Sequence, residues 1–360
     1  MTNASTVLTV VAVLIAVAVL VALVLAGVFA GRRVARARRL QQLRVTPAGR
    51  RPDPQQRRPR AAIIVNPTKL DAPDQVRRTI AGVCEQHGWQ EPLWLETTED
   101  DPGTGQAREA LAAGVDLVCP LGGDGTVRAV CEPLVGQDTP LGLLPGGTGN
   151  LLARNLGLPV DSVEHAFHVA LTGRSRRVDV GEIGVQRPDS DEVTDHVFMV
   201  MAGIGFDATV VSEAPEALKA KVGAAAYVVS GMRNLYGPRF AVDLQLDGLP
   251  SFHRRVRSVI VGNCGKLQGG LELLPDAELD DGWLDALLLS PTGIVGWAAV
   301  LVRVVTKRRR GHERVDHHRC RRMVLVLSHP EEVQLDGDVI GPAIMLTASV
   351  RPGALLIRVR

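Results

Sequence analysis

Aromatic side chains are scarce: 3% of 360 residues, with six Phe, four Trp and two Tyr. Proteins that grip single-stranded nucleic acid stack bases on such rings, so that class is disfavoured and no nucleic-acid partner is expected. Cysteine is equally thin. The five present, Cys84, Cys119, Cys131, Cys264 and Cys320, are odd in number and form no CxxC pair. That fits neither a disulfide framework nor a zinc site, and reads as reduced thiols buried as small apolar side chains. Residues 1–30 carry no charged side chain, and no internal repeat stands out.

What is present suffices for a packed interior. A chain 46% apolar and 22% charged is neither disordered nor collagen-like, and 360 residues exceed one comfortable core, which favours two domains. The net charge of +2 conceals a polar arrangement: residues 31–60 hold 11 Arg and one Asp, a balance of +10, leaving −8 elsewhere. A basic stem before an acidic body suggests a partner with a negative surface near the stem. Residues 7–30, VLTVVAVLIAVAVLVALVLAGVFA, form an apolar run of 24 residues, longer than the roughly 20 that cross a bilayer core. A single transmembrane helix is the direct reading. A secretory signal peptide, the rival, requires a positive leading region and a shorter apolar core, and the head here is MTNAST. Arg32, Arg33, Arg36, Arg38 and Arg39 follow at once, which puts that side in the cytoplasm. The expectation is a single-pass protein of the cell membrane with a cytoplasmic body.

Residues 44–60 combine prolines, arginines and glutamines, so residues 31–60 read as a basic linker that builds no core. Residues 61–178 then alternate. AAIIVNP is a short buried strand, residues 74–86 have helical apolar spacing, PLWLETT is a second strand, residues 104–113 a helix, and VDLVCPLGG a third strand. This is the pattern of an α/β domain with a parallel sheet, whose ligands sit beyond the carboxyl ends of its strands. Residues 179–360 change texture to short strands separated by Gly, Pro and Asp: VFMVMAGIG, RFAVDLQLDG, VRSVIVGNC, GWLDALLLS, RMVLVLS and VQLDGDVIG. The fold class expected is an α/β nucleotide-binding domain followed by a β-rich, sandwich-like domain.

The third strand ends in Leu121-Gly122-Gly123-Asp124-Gly125-Thr126, and the helix candidate VRAVCEPLV follows. Glycines at such a corner let backbone N–H groups approach a phosphate, and the helix N-terminus adds positive potential. By itself the turn is equally well a simple corner. A second one, Pro145-Gly146-Gly147-Thr148-Gly149-Asn150, follows within 30 residues. Side by side at one sheet edge, the two would make a two-sided cradle for a polyphosphate. Neither GxxxxGK[ST] nor GxGxxG is present, which sets aside the Walker and dinucleotide fingerprints.

With these motifs the sequence resembles the diacylglycerol kinase catalytic superfamily in its bacterial lipid kinase branch, related to sphingosine and ceramide kinases. The markers stand collinear over residues 61–360: IIVNPTK, LGGDGTVRAV, LPGGTGNLLARNLGLP, GIGFDATVV, GNCGKLQGGLELLPDAELDDGWLDALLL and LDGDVIG. The NAD kinases share a GGDGT turn, but PGGTGN and LDDGWL look like the lipid branch. The resemblance implies ATP bound between the two domains and Mg²⁺ with it. It places Asn66 and Thr97 on the nucleotide, and Gly122, Gly123, Asp124, Gly125, Thr126, Val127, Arg128, Gly147 and Thr148 around the phosphates. Asp124 matches the indispensable aspartate that orders the metal and phosphate network, and Asn150 stands where relatives carry Asp.

Two further roles follow from the resemblance. The turn before GWLDALLL would hold a structural magnesium through Asp281 and the backbone carbonyls of Glu278 and Trp283, oxygen ligands suited to a hard cation; the bland reading is a plain Asp-Gly turn. In LDGD, Asp338 occupies the place of a glutamate general base, one methylene shorter, with a solvated turn as its ordinary reading and Asp336 as its deputy. Asp207 either faces the lipid headgroup or caps a turn. The basic run 307–322 is either a solvated face or a contact with an anionic leaflet. The expected function is ATP-dependent phosphorylation of a membrane lipid hydroxyl, with diacylglycerol going to phosphatidic acid. Its rivals are a kinase for a sphingoid base or other lipid alcohol, and a non-enzymatic lipid-binding protein. A homodimer is left open.

Overall fold

In the computed structural model, residues 57–205, 239–267, 272–291 and 315–360 are described, and residues 58–360 form one compact unit. The first half alternates as its apolar spacing predicts: β1 (Ala61–Val65), α1 (Pro73–Gln86), β2 (Leu93–Glu96), α2 (Thr104–Ala112), β3 (Leu117–Gly122), α3 (Asp124–Leu134), β4 (Leu144–Pro145), α4 (Leu151–Asn155) and α5 (Val163–Thr172). The sheet order is β2-β1-β3-β4, all parallel. Both faces are covered, which is why β1 and β3 are buried at every position and read as apolar runs. Ala61, Ile63, Leu117 and Leu121 face α1 and α5 through Ile80, Val83 and Phe167. Ala62, Ile64 and Val118 face the opposite way, into a cluster with Val127, Val130 and Leu134 of α3.

Among the described residues, the second half is a ten-stranded antiparallel sheet: β5 (Arg174–Gln186), β6 (Val193–Phe198), β7 (Met201–Ile204), β8 (Phe240–Leu246), β9 (Phe252–Val256), β10 (Ser258–Gly262), β11 (Leu284–Leu289), β12 (Val315–Cys320), β13 (Arg322–Leu335) and β14 (Asp338–Val359). Its main path runs β12-β11-β10-β7-β13-β14-β5-β6, with β8 on β13 and β9 on β8. The two halves share more than a linker. The α3 cluster includes Val178, Val180, Met199, Val200, Leu355 and Ile357, so one apolar core spans both. Between β3 and β14 lies Leu141. Its N–H donates to Leu356 O at 2.8 Å, Arg358 N–H donates to Leu141 O at 2.8 Å, and the neighbouring Gly142 N–H donates to Val118 O at 2.8 Å. The position between residues 178 and 179, where the texture of the sequence changes, falls inside β5, which pairs with β14 from Arg174 to Gln186.

Among the described residues no helix is long and apolar enough to cross a membrane. The apolar run 7–30, most of the basic linker, Asp207 and the basic residues 307–314 lie outside the described residues. All five cysteines are buried and free, and burial pushes their thiols up, Cys84 to about 11 and Cys320 to about 12.

Candidate active site

The carboxyl edge of the parallel sheet gathers the motifs. At the end of β1, Asn66 N–H donates to Leu121 O at 3.0 Å, and Asn66 Oδ1 accepts from Thr68 N at 3.0 Å, closing a short turn. Beyond β2, Thr97 N–H donates to Val65 O at 2.8 Å and its side chain is buried. Gly123 alone separates β3 from α3. The first amides of α3 have no partner within the helix and emerge at the strand end, where an anion would meet them.

The two glycine-rich turns touch backbone to backbone. A methyl group built on Gly146 would lie 2.6 Å from Gly122 N, and one on Gly147 2.7 Å from Gly123 Cα. No side chain fits there. Asn150 closes the second turn: in a left-handed conformation (φ 46°), its Nδ2 donates to Gly147 O at 2.7 Å and its Oδ1 accepts from Gly147 N at 3.2 Å. A carboxylate could make only the second of these bonds. Thr126 is buried and packs its side chain over Gly122.

Asp124 stands between the turns. Its Oδ1 accepts from Leu151 N, at the start of α4, at 2.7 Å, so it ties the first turn to the helix after the second. Burial raises its carboxyl from the ordinary value to about 6, with Asp336 and Asp338 adding repulsion and the Leu151 amide pulling the other way. The carboxylate keeps lone pairs for a cation beyond the amides of Leu151 and Asn150, so the residues here fit a divalent metal arriving with a nucleotide.

The β-rich half supplies the opposite wall. The turn between β13 and β14 brings Asp338 against the first glycine turn, so a methyl on Gly125 would lie 2.5 Å from Asp338 Oδ2. Asp338 is half exposed and pairs with Arg128 at 3.0 Å. Asp336 is a different kind of residue from the deputy base expected of it. It is buried, and its two oxygens accept from Met199 N (2.8 Å), Val200 N (2.8 Å) and Met201 N (3.0 Å). Burial pushes its carboxyl up against the pull of those amides. The grip also explains why VFMVMAGIG, legible as one strand, is two: Met199 and Val200 give their amides to Asp336, and β6 ends at Phe198 before β7 starts at Met201.

Of the other expected phosphate contacts, Thr148 and the glycines stand on the two turns. Val127 does not present a polar group: its side chain is in the core and its N–H donates to Gly123 O at 3.0 Å. Arg128 turns to the β13–β14 turn.

Glu278, Asp281 and Trp283 form a separate node. Asp281 Oδ1 accepts from Trp283 N at 3.0 Å, while Oδ2 pairs with Arg319. Burial raises its carboxyl, and the acidic neighbours that act on it are Asp285 and Glu278, not the carboxylates around Asp124. Arg319 and Arg321 also lie over the Trp283 ring, at 5.4 and 4.7 Å from its centroid. One carboxylate oxygen of Asp281 thus meets an amide and the other a guanidinium. Among the described residues no group of three or more His, Cys, Asp or Glu is set to hold a metal. The turn is also secured by Asp179, which sequence reasoning missed. Buried, it accepts from Gly282 N at 2.6 Å and Gly353 N at 2.7 Å, and its own N–H donates to Leu279 O at 2.6 Å.

Known proteins resemble this chain in sequence and in fold. Residues 60–183 match the model of the diacylglycerol kinase catalytic domain, and residues 200–359 that of the YegS C-terminal NAD kinase beta sandwich-like domain. A diacylglycerol kinase of Bacillus subtilis is 30% identical over 292 residues, covering 78% of this chain and 90% of that protein. The chain belongs to the diacylglycerol kinase family of lipid kinases. A Pseudomonas fluorescens protein named "Probable lipid kinase YegS-like" is 32% identical to this kinase over 308 residues, 83% of this chain and 95% of its own. The crystal structure of a diacylglycerol kinase from Bacillus anthracis has the same fold, with a TM-score of 0.64, 24% identity, and coverage of 84% and 97% of the two chains.

Proposed function

We propose that this kinase transfers the γ-phosphoryl group of ATP to the free hydroxyl of diacylglycerol, giving phosphatidic acid, with Mg²⁺ as the metal. The observation that carries the reading is the meeting of two carboxylates from different halves of the molecule over one glycine turn: Asp124 from α3, and Asp338, seated against Gly125. The glycine turns offer backbone amides to the phosphates, and Asp124 would hold the metal. Mg²⁺, when bound, neutralises charge on the phosphates, which is where most of the catalysis in phosphoryl transfer arises. Asp338 accepts the proton of the lipid hydroxyl as its oxygen bonds to the γ-phosphorus and the bond to the ADP oxygen breaks. The choice of diacylglycerol is supported by the name of the Bacillus subtilis relative. Residues 7–30 and the arginines after them support a single-pass membrane anchor with the kinase body on the cytoplasmic side.

The test is a purified full chain given labelled ATP and mixed micelles of diacylglycerol, a sphingoid base or another long-chain alcohol. Labelled phosphatidic acid as the main product is expected. Preferential labelling of the sphingoid base would move the acceptor, and no lipid-dependent ATP consumption would leave only a lipid-binding role.

A further inference from the structure

We infer that Arg128 is the positioning residue for Asp338, aiming that carboxylate across the boundary between the two halves rather than contacting ATP phosphate. The inference rests on the reading of Asp338 as proton acceptor. Arg128 lies four residues after Asp124, one helical turn along α3 and on the same face. From there its guanidinium reaches the β13–β14 turn with both terminal nitrogens. Nη2 meets Asp338 Oδ2 at 3.0 Å, and Nη1 donates to the carbonyl of Leu335. Leu335 ends β13 and Asp338 begins β14, so one side chain holds both ends of the turn.

The turn needs holding from that side. Asp336 and Gly337 carry positive φ, 52° and 101°. Asp336 anchors the inner side through the amides of residues 199–201. Among the described residues nothing equivalent on the inner side reaches Asp338, whose side chain is 50% exposed against 19% for Arg128. A short, half-exposed carboxylate samples several rotamers unless a partner selects one, and a planar fork bound to a fixed carbonyl is a rigid partner. A lysine in this place would have a point charge and could not span the carbonyl and the carboxylate with fixed geometry. The same fork joins α3, which starts at the phosphate turn, to the hairpin that carries the acceptor. It therefore sets the distance between the two reacting ends of the site.

The experiment measures kcat and the KM for ATP of the full chain for Arg128→Gln, Arg128→Lys, Asp338→Asn and the double variant Arg128→Gln/Asp338→Asn, with melting temperatures as a folding control. Arg128→Gln should lower kcat by about 10- to 100-fold, the scale of a misplaced reacting group, with the KM for ATP unchanged within about twofold. Arg128→Lys should fall between it and wild type. Should Arg128→Gln not fold, the Lys variant carries the same reading through its kcat and KM. Asp338→Asn should lose about 10²- to 10⁴-fold, and the double variant should be no slower than Asp338→Asn alone, because a positioning residue has nothing left to position. A raised KM for ATP with kcat retained, or losses that multiply in the double variant, would overturn the inference. Asp338→Asn at wild-type turnover would overturn the proton-acceptor reading and this inference with it. A slow Asp338→Asn beside Arg128 variants at full turnover would overturn this inference alone.

Discussion

Asp124 carries opposing demands. Ionised, it serves the phosphate site; buried beside two other carboxylates, it resists ionisation, and its carboxyl is raised to about 6. An unfolded aspartate titrates near about 3.9, so between these values the native state holds a proton that the unfolded chain has released. Stability from this group is therefore full below about pH 4 and is lost as the pH rises through about 6. Asp124→Asn keeps an oxygen for the Leu151 amide and removes the charge. It should abolish phosphorylation yet melt higher than wild type at pH 8 without ligand, the gap closing as the pH falls toward 4. Thermal melts across that range check this, and an Asn variant less stable at pH 8 would contradict it. Asp336, equally acidic in the sequence, serves structure. Asp336→Asn would set an NH₂ group against buried amides, with an expected loss of about 2–4 kcal/mol by chemical denaturation.

Two elements meet at the cradle only because neither turn carries a Cβ at the contact. The Gly147 contact is with the Gly123 backbone, which cannot rotate away as a side-chain tip would. Gly147→Ala must push the turns apart. A stability loss of about 1–3 kcal/mol is expected from overpacking, and the KM for ATP should rise because the amides of the two turns no longer converge. Gly82, in the middle of α1 with no atom within 4 Å of a built methyl, is the control. There, alanine should add about 0.5–1 kcal/mol through helix propensity. Equal effects at the two positions would mean that the contact between the turns has no special role.

On the scale of the whole molecule, the shared apolar core and the Leu141 link make residues 58–360 one unit, with the site built from both halves. A chain lacking residues 1–56 should fold, melt cooperatively and phosphorylate lipid dispersed in detergent. On intact vesicles it should be slower than the full chain, since an anchor raises the effective concentration at the surface. Equal rates on vesicles, or a full chain that fractionates with soluble protein, would end the anchor proposal.

Much of this kinase is written in consecutive residues. The alternation of β1 to α3 is legible because strand and helix periods are local, and the glycine turns because each interrupts an apolar strand just before a helix. Those local patterns sufficed for fold class and family. The tertiary structure decided what each acidic residue does. LDGD contains two aspartates in equivalent-looking places, but one faces the amides of Met199 to Met201, 135 to 137 residues away in sequence, and the other faces Arg128 across 210. Asp179 has no local mark at all; its partners are Gly282 and Gly353. Asp281 sits in a turn that the sequence shows clearly, yet only folding places Arg319 on its carboxylate. Backbone conformation is governed by neighbours along the chain, whereas a carboxylate's role is governed by which donors the fold brings within 3 Å of it.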